Sequence, residues 1–593
     1  MEINMINDLK NNNKLSAALL TVAICVVLAA AAIIIAVLNP QTDFDFIPSY
    51  AKPGEVHFSE MKYSRPDTVA LKNSIDELIE LINENASFSS QSNLFSDINM
   101  MLSDFYTMQT IANIHFYSNN KDDFWSAENS FVQSEAVLIH DKTTELLDVI
   151  AASGFKSNYE RSFFGSGYFN DWVPYDLSNA AVVLLLKETE LITEYQTTLS
   201  EASVEYKGQT VAIPSSELAA LSPEEAEEVL ELYYDKYNSL LGSIYAELVK
   251  VRIQLADELE VNYVDYAYQN LGRDYTPADA DKYIEDARKH IIPFMEKLNT
   301  DDTVAYTYTD TATSFYYVSK AAHNMGGIVE EAFDYMVKYG LYDISYSENK
   351  TGISFQTFIQ NYNAPFLFIS PSLTALDYST LAHEFGHFID SYNNLNVGIT
   401  IDNTEIASQA FALIAPYYSN GMGSVSLDDL VLLNLISAVD TYATSGFINS
   451  FESAVYSLEL EEVTLEKLNS LAFEAAESFG LNPEEVSASW FEIQHIYLYP
   501  FYSVGYAISS DVSLQVLEKE IEDPGEGGVK AYLNVIDRDA SLPFVDDITR
   551  SGFKSPFEEG RTKEVADLID LLIFSKADKD DRSESESDPL ESA

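Results

Sequence analysis

The sequence has little cysteine, little histidine and few basic residues. Its one cysteine, Cys25, lies in an apolar N-terminal segment, which excludes a disulfide framework, a thiolate metal site and a cysteine nucleophile from the rest of the chain. With only eight histidines, a transition metal has to be held by a few imidazoles together with carboxylates. The 34 Lys and Arg stand against 94 Asp and Glu, and a net charge of −60 repels phosphate backbones, so nucleic acid is not expected as a partner.

The length and composition predict a globular protein with more than one lobe. A chain of 593 residues exceeds the usual size of one compact domain, and its hydrophobic fraction of 47% is ordinary for a folded protein. The acidic excess is typical of a solvated exterior that resists aggregation. Oligomeric state does not follow from these quantities.

The long uncharged run from Leu15 to Leu38 predicts a transmembrane helix. Its length is enough to span a hydrocarbon core of about 30 Å at about 1.5 Å per residue. The alternative is a cleaved signal peptide, but the small residues Ala29 to Ala32 continue into Ile33 instead of ending the apolar run. The pattern therefore favours an anchor that stays attached.

The charges beside this segment predict its orientation. Lys10 and Lys14 precede it, whereas Asp43 and Asp45 follow it before Lys52. Because lysine and arginine stay on the cytoplasmic side, residues 1–14 are expected in the cytoplasm and the folded part outside the cell. The expected localisation is a single-pass protein of the cell membrane.

The remaining sequence predicts a mainly α-helical protein divided by changes in composition. Proline and glycine without periodicity at 39–66 indicate a stalk, and the acidic, serine-rich stretch 576–593 indicates a disordered tail. Helical periodicity fills 67–200, an N-terminal helical lobe. Residues 201–575 form the predicted catalytic domain, where Ser222-Pro223 and Thr276-Pro277 open helices. The aromatic stretch Thr351 to Ser370 predicts a hairpin or edge strands.

Two histidines in a helical pattern form the strongest functional signal. His383 and His387 in the run His383-Glu384-Phe385-Gly386-His387 are four positions apart, so both imidazoles face one side of a helix and can bind one ion. Glu384 is too close to the first ligand to bind the same ion, but its carboxylate can reach a water in the open coordination position. Gly386 allows a neighbouring element to approach the helix closely. The pattern predicts a zinc site rather than two core histidines.

A catalytic zinc site requires a third protein ligand, for which Glu405 is the best candidate. It follows Asn403 and Thr404, which can cap a helix, and it precedes the apolar run beginning at Ile406. Asp390 and Asp402 are the alternative ligands, and a helix-dipole carboxylate is the alternative role of Glu405.

A second set of polar aromatic residues follows at helical spacing. His495, Tyr499, Tyr502 and Tyr506 lie on one stripe, although Pro500 has to kink a helix there. Aromatic packing is the simpler interpretation. Imidazole and phenol groups are nevertheless suited to hydrogen-bonding a developing oxyanion.

These pieces together resemble the thimet oligopeptidase family of zinc metallopeptidases, and more closely its oligoendopeptidase F branch. The resemblance extends from about Glu190 to Phe557 and combines, in order, the segments beginning at Tyr263 and Asn349, the run STLAHEFGH (379–387), EIAS (405–408) and HIYLYPFY (495–502). The family implies a two-lobed helical metallopeptidase with a deep substrate channel and a small β-sheet beside the metal helix.

The resemblance also implies roles for individual residues. Glu405 becomes the third zinc ligand, and His495, Tyr502 and Tyr506 become substrate and oxyanion contacts. An edge strand near Phe366 to Ser370 is expected to bind the peptide backbone by β-addition. The chain departs from the family pattern at Val504, where members often have tyrosine, and at Ala412, where they often have an acidic residue; the N-terminal anchor is also unusual.

The expected activity is hydrolysis of internal bonds in short peptides. One zinc ion per chain, held by His383, His387 and Glu405, would activate a water, with Glu384 as general base. Two alternatives stay open: a carboxypeptidase or dipeptidyl carboxypeptidase of the same fold, and a non-catalytic surface protein that binds peptides.

Overall fold

The computed structural model describes residues 52–586, except for short gaps at 166, 170–178, 201, 214–217, 219–220, 296–303, 306, 348, 351, 396–400 and 540–541. The predicted transmembrane helix, 15–38, and the cytoplasmic segment, 1–14, lie outside the described residues. The described part is mainly helical, as predicted, and contains two small sheets.

The N-terminal lobe consists of three long helices around a core of its own. The elements up to residue 200 are α1 (Thr68–Asn83), α2 (Phe88–Ser118), α3 (Asp123–Ala152), α4 (Lys156–Tyr159), a π-helical turn (Glu160–Phe164) and α5 (Asn179–Ser200). Buried residues of α1, α2 and α3, among them Ile75, Phe95 and Leu146, pack together. Helix α5 instead supplies Leu191 and Tyr195 to the larger core of the second lobe, although the sequence placed it in the first.

The second lobe holds the remaining helices and both sheets. Its first half contains β1 (Ser203–Tyr206), β2 (Gln209–Ala212), α6 (Pro223–Glu258), α7 (Tyr263–Asn270), α8 (Pro277–His290), α9 (Thr311–Met325), α10 (Gly327–Lys338), β3 (Tyr342–Asp343), β4 (Phe355–Ile359) and β5 (Ala364–Phe368). The predicted caps are present, since the side chains of Ser222 and Thr276 each accept a backbone N–H in a capping box.

The described residues of the second half form helices and connecting turns, with no further strand. It contains α11 (Leu376–Asn394), α12 (Ile401–Ser419), α13 (Leu427–Val455), α14 (Leu465–Ser478), α15 (Pro483–Ser489), α16 (Gln494–Leu498), α17 (Val504–Glu522), α18 (Gly527–Ile536), α19 (Phe544–Arg550) and α20 (Arg561–Glu586). By length and composition α13 could cross a membrane, but 67% of its most apolar window is buried inside the protein, as expected for a core helix.

The sheet beside α11 corrects one prediction. Strand β5 is central: it pairs in parallel with β3 and antiparallel with β4, with Gln356 opposite Leu367. Beyond β5 the N–H of Ile369 still bonds the carbonyl of Asp343. The stretch Phe366 to Ser370 is therefore not an edge strand, because β3 covers the side that the sequence left open. The edge strand next to α11 is β4.

Both ends of the described chain also differ from expectation. The part of the predicted stalk that is described packs on the second lobe: the N–H of Gly54 bonds the carbonyl of Asn363, and Phe58 lies with its ring 4.4 Å from that of Phe366. At the other end, α20 continues to Glu586, into the predicted disordered tail. The first turns of this helix are packed, with Val565 and Ile569 buried, and a helix that has been nucleated can continue into residues of lower propensity.

Candidate metal site

The metal-site helix α11 packs tightly against α12. A Cβ on Gly386 would lie 2.6 Å from the Cα of Ser408 and 2.8 Å from the carbonyl oxygen of Ala407, so only glycine permits this approach. Gly386 thus has the role predicted for it. The close contact brings the side chain of Glu405, on α12, between the two histidines of α11.

The three predicted ligands form one cluster. The Oε2 atom of Glu405 is 3.5 Å from Nε2 of His383 and 3.8 Å from Nε2 of His387. Two ligands of a tetrahedral zinc ion, each at roughly 2.0–2.2 Å from it, lie about 3.3–3.5 Å apart, so this spacing fits one ion. The hydroxyl of Ser408 donates to Glu405 at 3.3 Å. Within the helix Glu405 is the fifth residue, because α12 begins at Ile401 rather than at a cap formed by Asn403 or Thr404.

Burial makes this cluster suited to a cation. Desolvation lowers the pKa of His383 to about 4 and that of His387 well below its usual range, so both imidazoles are neutral at pH 7. Desolvation also raises the pKa of Glu405 to about 8. The buried Nε2 atom of His387 has no hydrogen-bond partner among the described residues. A divalent cation would satisfy this nitrogen and favour the ionised carboxylate.

Glu384 stands beside the cluster without belonging to it. Its side chain is buried, and one carboxylate oxygen has no hydrogen-bond partner in the described part of the chain. Burial and then the charge of Glu405 raise its pKa well above the ordinary range, whereas the backbone N–H of Gln356 on β4 lowers it. A buried carboxylate that has one oxygen available next to a group of candidate metal ligands is the arrangement expected of a general base.

The two alternative ligands are paired elsewhere. Asp390 accepts a hydrogen bond at 2.8 Å from Arg538 and another at 2.9 Å from the side-chain amide of Asn394. Asp402 pairs with Arg273 and accepts a hydrogen bond at 3.0 Å from the hydroxyl of Tyr275. The prediction could not have found these partners, because the arginines lie more than a hundred residues away in sequence from the carboxylates that they bind.

The residues of the predicted aromatic stripe also meet at the site, but not on one helix. A turn separates α16 from α17, and Phe501 in this turn has a φ of 64°. The ring of His495 stacks on Tyr502 with centroids 5.1 Å apart, and the rings of Tyr502 and Tyr506 are 5.4 Å apart. Tyr499 is at the margin, 6.4 Å from Tyr502.

This aromatic group is connected to the metal cluster. Burial raises the pKa of Glu405, and hydrogen bonds from Ser408 and Tyr502 oppose this rise. The pKa of Tyr506, raised mainly by burial, is also raised by Glu405 and Glu384. Desolvation lowers the pKa of His495 to about 3, and its buried Nε2 atom has no hydrogen-bond partner among the described residues. The phenol of Tyr502 therefore bonds the candidate ligand Glu405, and a neutral imidazole packs on that phenol.

A cavity of about 130 Å³ opens beside His383 and Glu384. Its wall comes from α11, α12, α13 and α17 and is largely apolar, with the aliphatic residues Leu376, Ala412, Leu413, Leu433, Ile436 and Ala438. Ala412, where the chain departs from the family pattern, is part of this wall. An acidic residue at 412 would place another negative charge beside the site.

Comparison with known proteins supports the resemblance found in the sequence. Residues 58–173 match the family model described as the peptidase M3 N-terminal domain. No curated protein matches the chain.

Solved structures give the fold of nearly the whole described chain. An oligoendopeptidase F structure is 22% identical with a TM-score of 0.72 over 88% of this chain and 99% of that one. PZ peptidase A with an inhibitor is 22% identical with a TM-score of 0.71 over 87% and 99%. An oligoendopeptidase F from Bacillus anthracis is 21% identical with a TM-score of 0.70 over 88% and 99%. The predicted resemblance is confirmed: residues 58–173 match the peptidase M3 N-terminal domain, and the chain has the fold of the oligoendopeptidase F structures.

Proposed function

We propose that this protein is a zinc metallopeptidase that hydrolyses internal bonds of short peptides. The observation that carries the proposal is the cluster of His383, His387 and Glu405, beside a carboxylate oxygen of Glu384 that has no hydrogen-bond partner among the described residues. Three protein ligands and a neighbouring base are the composition of a catalytic zinc site, whereas structural zinc sites are closed by four protein ligands. The site is proposed to hold one zinc ion per chain.

The chemistry divides between the ion and the chain's own residues. Zinc bound by the three ligands supplies a Lewis acid, which lowers the pKa of water and polarises the scissile carbonyl. Glu384 accepts the proton that the attacking water loses and delivers it to the nitrogen of the leaving amine. Glu384 has to be ionised to start this cycle, and a cation at the ligands favours its ionised form despite burial.

The aromatic group is proposed to stabilise the transition state. His495 and Tyr506 would donate hydrogen bonds to the oxyanion that develops on the scissile carbonyl, and Tyr502 would hold Glu405 and contact substrate. Their rings pack on one another, so their donors are already oriented before substrate binds. Such preorganisation is what makes oxyanion contacts effective.

Strand β4 is proposed to bind the peptide backbone. It is the edge strand beside α11, and the backbone N–H of Gln356 points to Glu384, so its outer edge faces the site. An extended peptide that pairs with this edge would pass in front of the ligands. A substrate held in a channel between two helical lobes would have to be short and unfolded.

The membrane anchor is proposed from the sequence alone. The segment 15–38 would hold the protein in the cell membrane with the peptidase outside. Protease treatment of intact cells, followed by immunoblotting with an antibody to the C-terminal half of the protein, tests this topology. Loss of the immunoblot signal in intact cells supports it, and a signal that is lost only after the cells are lysed contradicts it.

Digestion of peptides with blocked and free ends by the zinc-loaded full-length protein in detergent tests the activity. Cleavage of end-blocked peptides at internal bonds is expected. Cleavage restricted to peptides with a free carboxyl end would indicate the carboxypeptidase or dipeptidyl carboxypeptidase alternative. Zinc-bound protein that binds peptides without cutting them would indicate the non-catalytic alternative.

A further inference from the structure

Arg273 connects the helix of the candidate ligand Glu405 to the turn of the aromatic group, although its side chain contacts neither the three candidate ligands nor the cavity beside them. It lies in the segment between α7 and α8, and its side chain is 1% exposed. One end of the guanidinium donates to the backbone carbonyls of Phe501 at 2.7 Å and Tyr502 at 3.1 Å. The other contact is with the carboxylate of Asp402, at 3.4 Å and 3.5 Å.

Asp402 places this contact on the helix that carries the third ligand. It precedes Glu405 by three residues on α12, so the two side chains lie about one helical turn apart on the same face. The hydroxyl of Tyr275 donates to Asp402 at 3.0 Å. A Cβ on Gly505 would lie 2.3 Å from the Asp402 carboxylate, which indicates how closely the start of α17 approaches. Movement of Asp402 would therefore move the start of α12.

The carbonyl contacts lie on the turn that carries Tyr502 and leads into α17, which carries Tyr506. Phe501 has a positive φ, which is an unfavourable conformation for a non-glycine residue, so the turn has to be held by its surroundings. The N–H of Phe501 donates to Glu452 at 3.0 Å, and Arg273 satisfies the carbonyls of Phe501 and Tyr502. Buried carbonyls without a partner would destabilise this conformation.

We propose that Arg273 is a positioning residue of the site, an inference that rests on the proposed function. Through Asp402 it fixes the helix of Glu405, and through the two carbonyls it fixes Tyr502 and Tyr506. A guanidinium can span these acceptors in two directions because its five N–H donors form a rigid plane. A lysine ammonium at the same position cannot reach both groups with the same geometry. Arg273→Lys therefore keeps the positive charge but loses the simultaneous hydrogen bonds to Asp402 and to the two carbonyls.

The matched control is Arg561→Lys. Arg561 is another buried arginine paired with a carboxylate, at 2.7 Å from Asp511 on α17, but its partners are not on α12 or on the turn at 501–502. Both substitutions keep a positive charge in a buried pair, so both are expected to lower the melting temperature. Only the substitution at 273 is expected to change the site.

The experiment measures zinc affinity, by competition with a chromophoric chelator, together with kcat and KM well below the melting temperature of each full-length variant. Arg273→Lys is expected to weaken zinc binding and to lower kcat by about ten- to a hundredfold each, with a smaller change in KM, because supporting partners of metal ligands have effects of this size. Arg561→Lys is expected to stay near wild type in both. Zinc affinity and kcat of Arg273→Lys equal to those of Arg561→Lys would overturn the inference.

A second variant covers the case in which Arg273→Lys does not fold. Tyr275→Phe removes one hydrogen bond from Asp402 and keeps the ring, and it is expected to weaken zinc binding in the same direction by a smaller factor; no change overturns the inference. Wild-type protein that binds zinc without cutting peptides would contradict only the proposed function, because the zinc affinities of the variants would still test the role of Arg273. Wild-type protein that binds no zinc would overturn both.

Discussion

Gly386 lies against the backbone of Ser408, so closely that a Cβ at residue 386 would come within 2.6 Å of the Ser408 Cα atom. This contact sets the distance between the helix of the two histidines and the helix of Glu405. It is a backbone-to-backbone contact, so rotation of a flexible side chain cannot relieve the overlap.

Gly386→Ala is therefore expected to destabilise the protein by roughly 1–3 kcal/mol, the usual effect of overpacking, and to weaken zinc binding. Thermal melting and a zinc titration measure the two effects. Gly154→Ala is the control, because a Cβ there meets no atom within 4 Å. Equal melting temperatures and zinc affinities for the two variants would contradict the proposed packing of α11 on α12.

Zinc removal is expected to lower the melting temperature, because a ligand that binds only the folded state stabilises it. At free zinc about a hundredfold above the dissociation constant, this stabilisation is about 2.7 kcal/mol. Calorimetry of chelated and reloaded protein measures it. His383→Ala should melt at the same temperature with and without zinc, and a zinc-dependent shift in that variant would place the ion elsewhere.

Tyr506→Phe is expected to lower kcat by about a hundredfold or more while zinc affinity stays unchanged, since a lost oxyanion donor costs about that factor. Steady-state kinetics and a zinc titration of the variant measure both. Tyr499→Phe, at the margin of the aromatic group, is the control. A kcat of Tyr506→Phe within a few fold of wild type would exclude the oxyanion role.

Glu492 gives a prediction on stability and pH. Burial raises the pKa of this carboxyl to about 7, and the hydrogen bond from Tyr233 lowers it, while one carboxylate oxygen has no partner among the described residues. The folded state thus holds a proton that the unfolded state loses near the ordinary pKa. Stability should fall as pH rises from the ordinary range to about 7, and stay at the lower value above it.

Glu492→Gln keeps an acceptor for Tyr233 and removes the titration. The stability gain of the variant over wild type is expected to be roughly 2–3 kcal/mol larger at pH 8 than at pH 5, from about 1.4 kcal/mol per unit of pKa difference. Melting temperatures of zinc-loaded wild type and variant at both pH values measure it. The same difference at pH 5 and pH 8 would contradict the assigned titration.

The local part of the site could be predicted from the sequence. The shared face of His383 and His387 follows from helical periodicity alone. Glu405 lies on the next helix, a short distance along the chain, so its place beside them also follows from local spacing. The mainly helical fold followed from the same periodicity.

The long-range part could not be predicted. Whether a strand is central or at an edge depends on its partner, and the pairing of β5 with two residues at Tyr342–Asp343 leaves no periodic signal. The partners of Asp402 and Asp390 are arginines distant in sequence, and the turn at Phe501 replaces the single kinked helix expected from the stripe of His495 and the tyrosines. Tertiary packing determines the partners of buried charges and the conformation of such a turn, and these contacts cannot be predicted from a single sequence.

The most direct test of the proposed function is the hydrolysis of an end-blocked, internally quenched peptide by Glu384→Gln, with its zinc content measured in parallel. The substitution keeps the size of the side chain and removes the base, so the variant should retain stoichiometric zinc while its kcat falls by at least about a hundredfold, the lower range for a lost general base. Turnover equal to wild type in zinc-loaded Glu384→Gln would contradict the account.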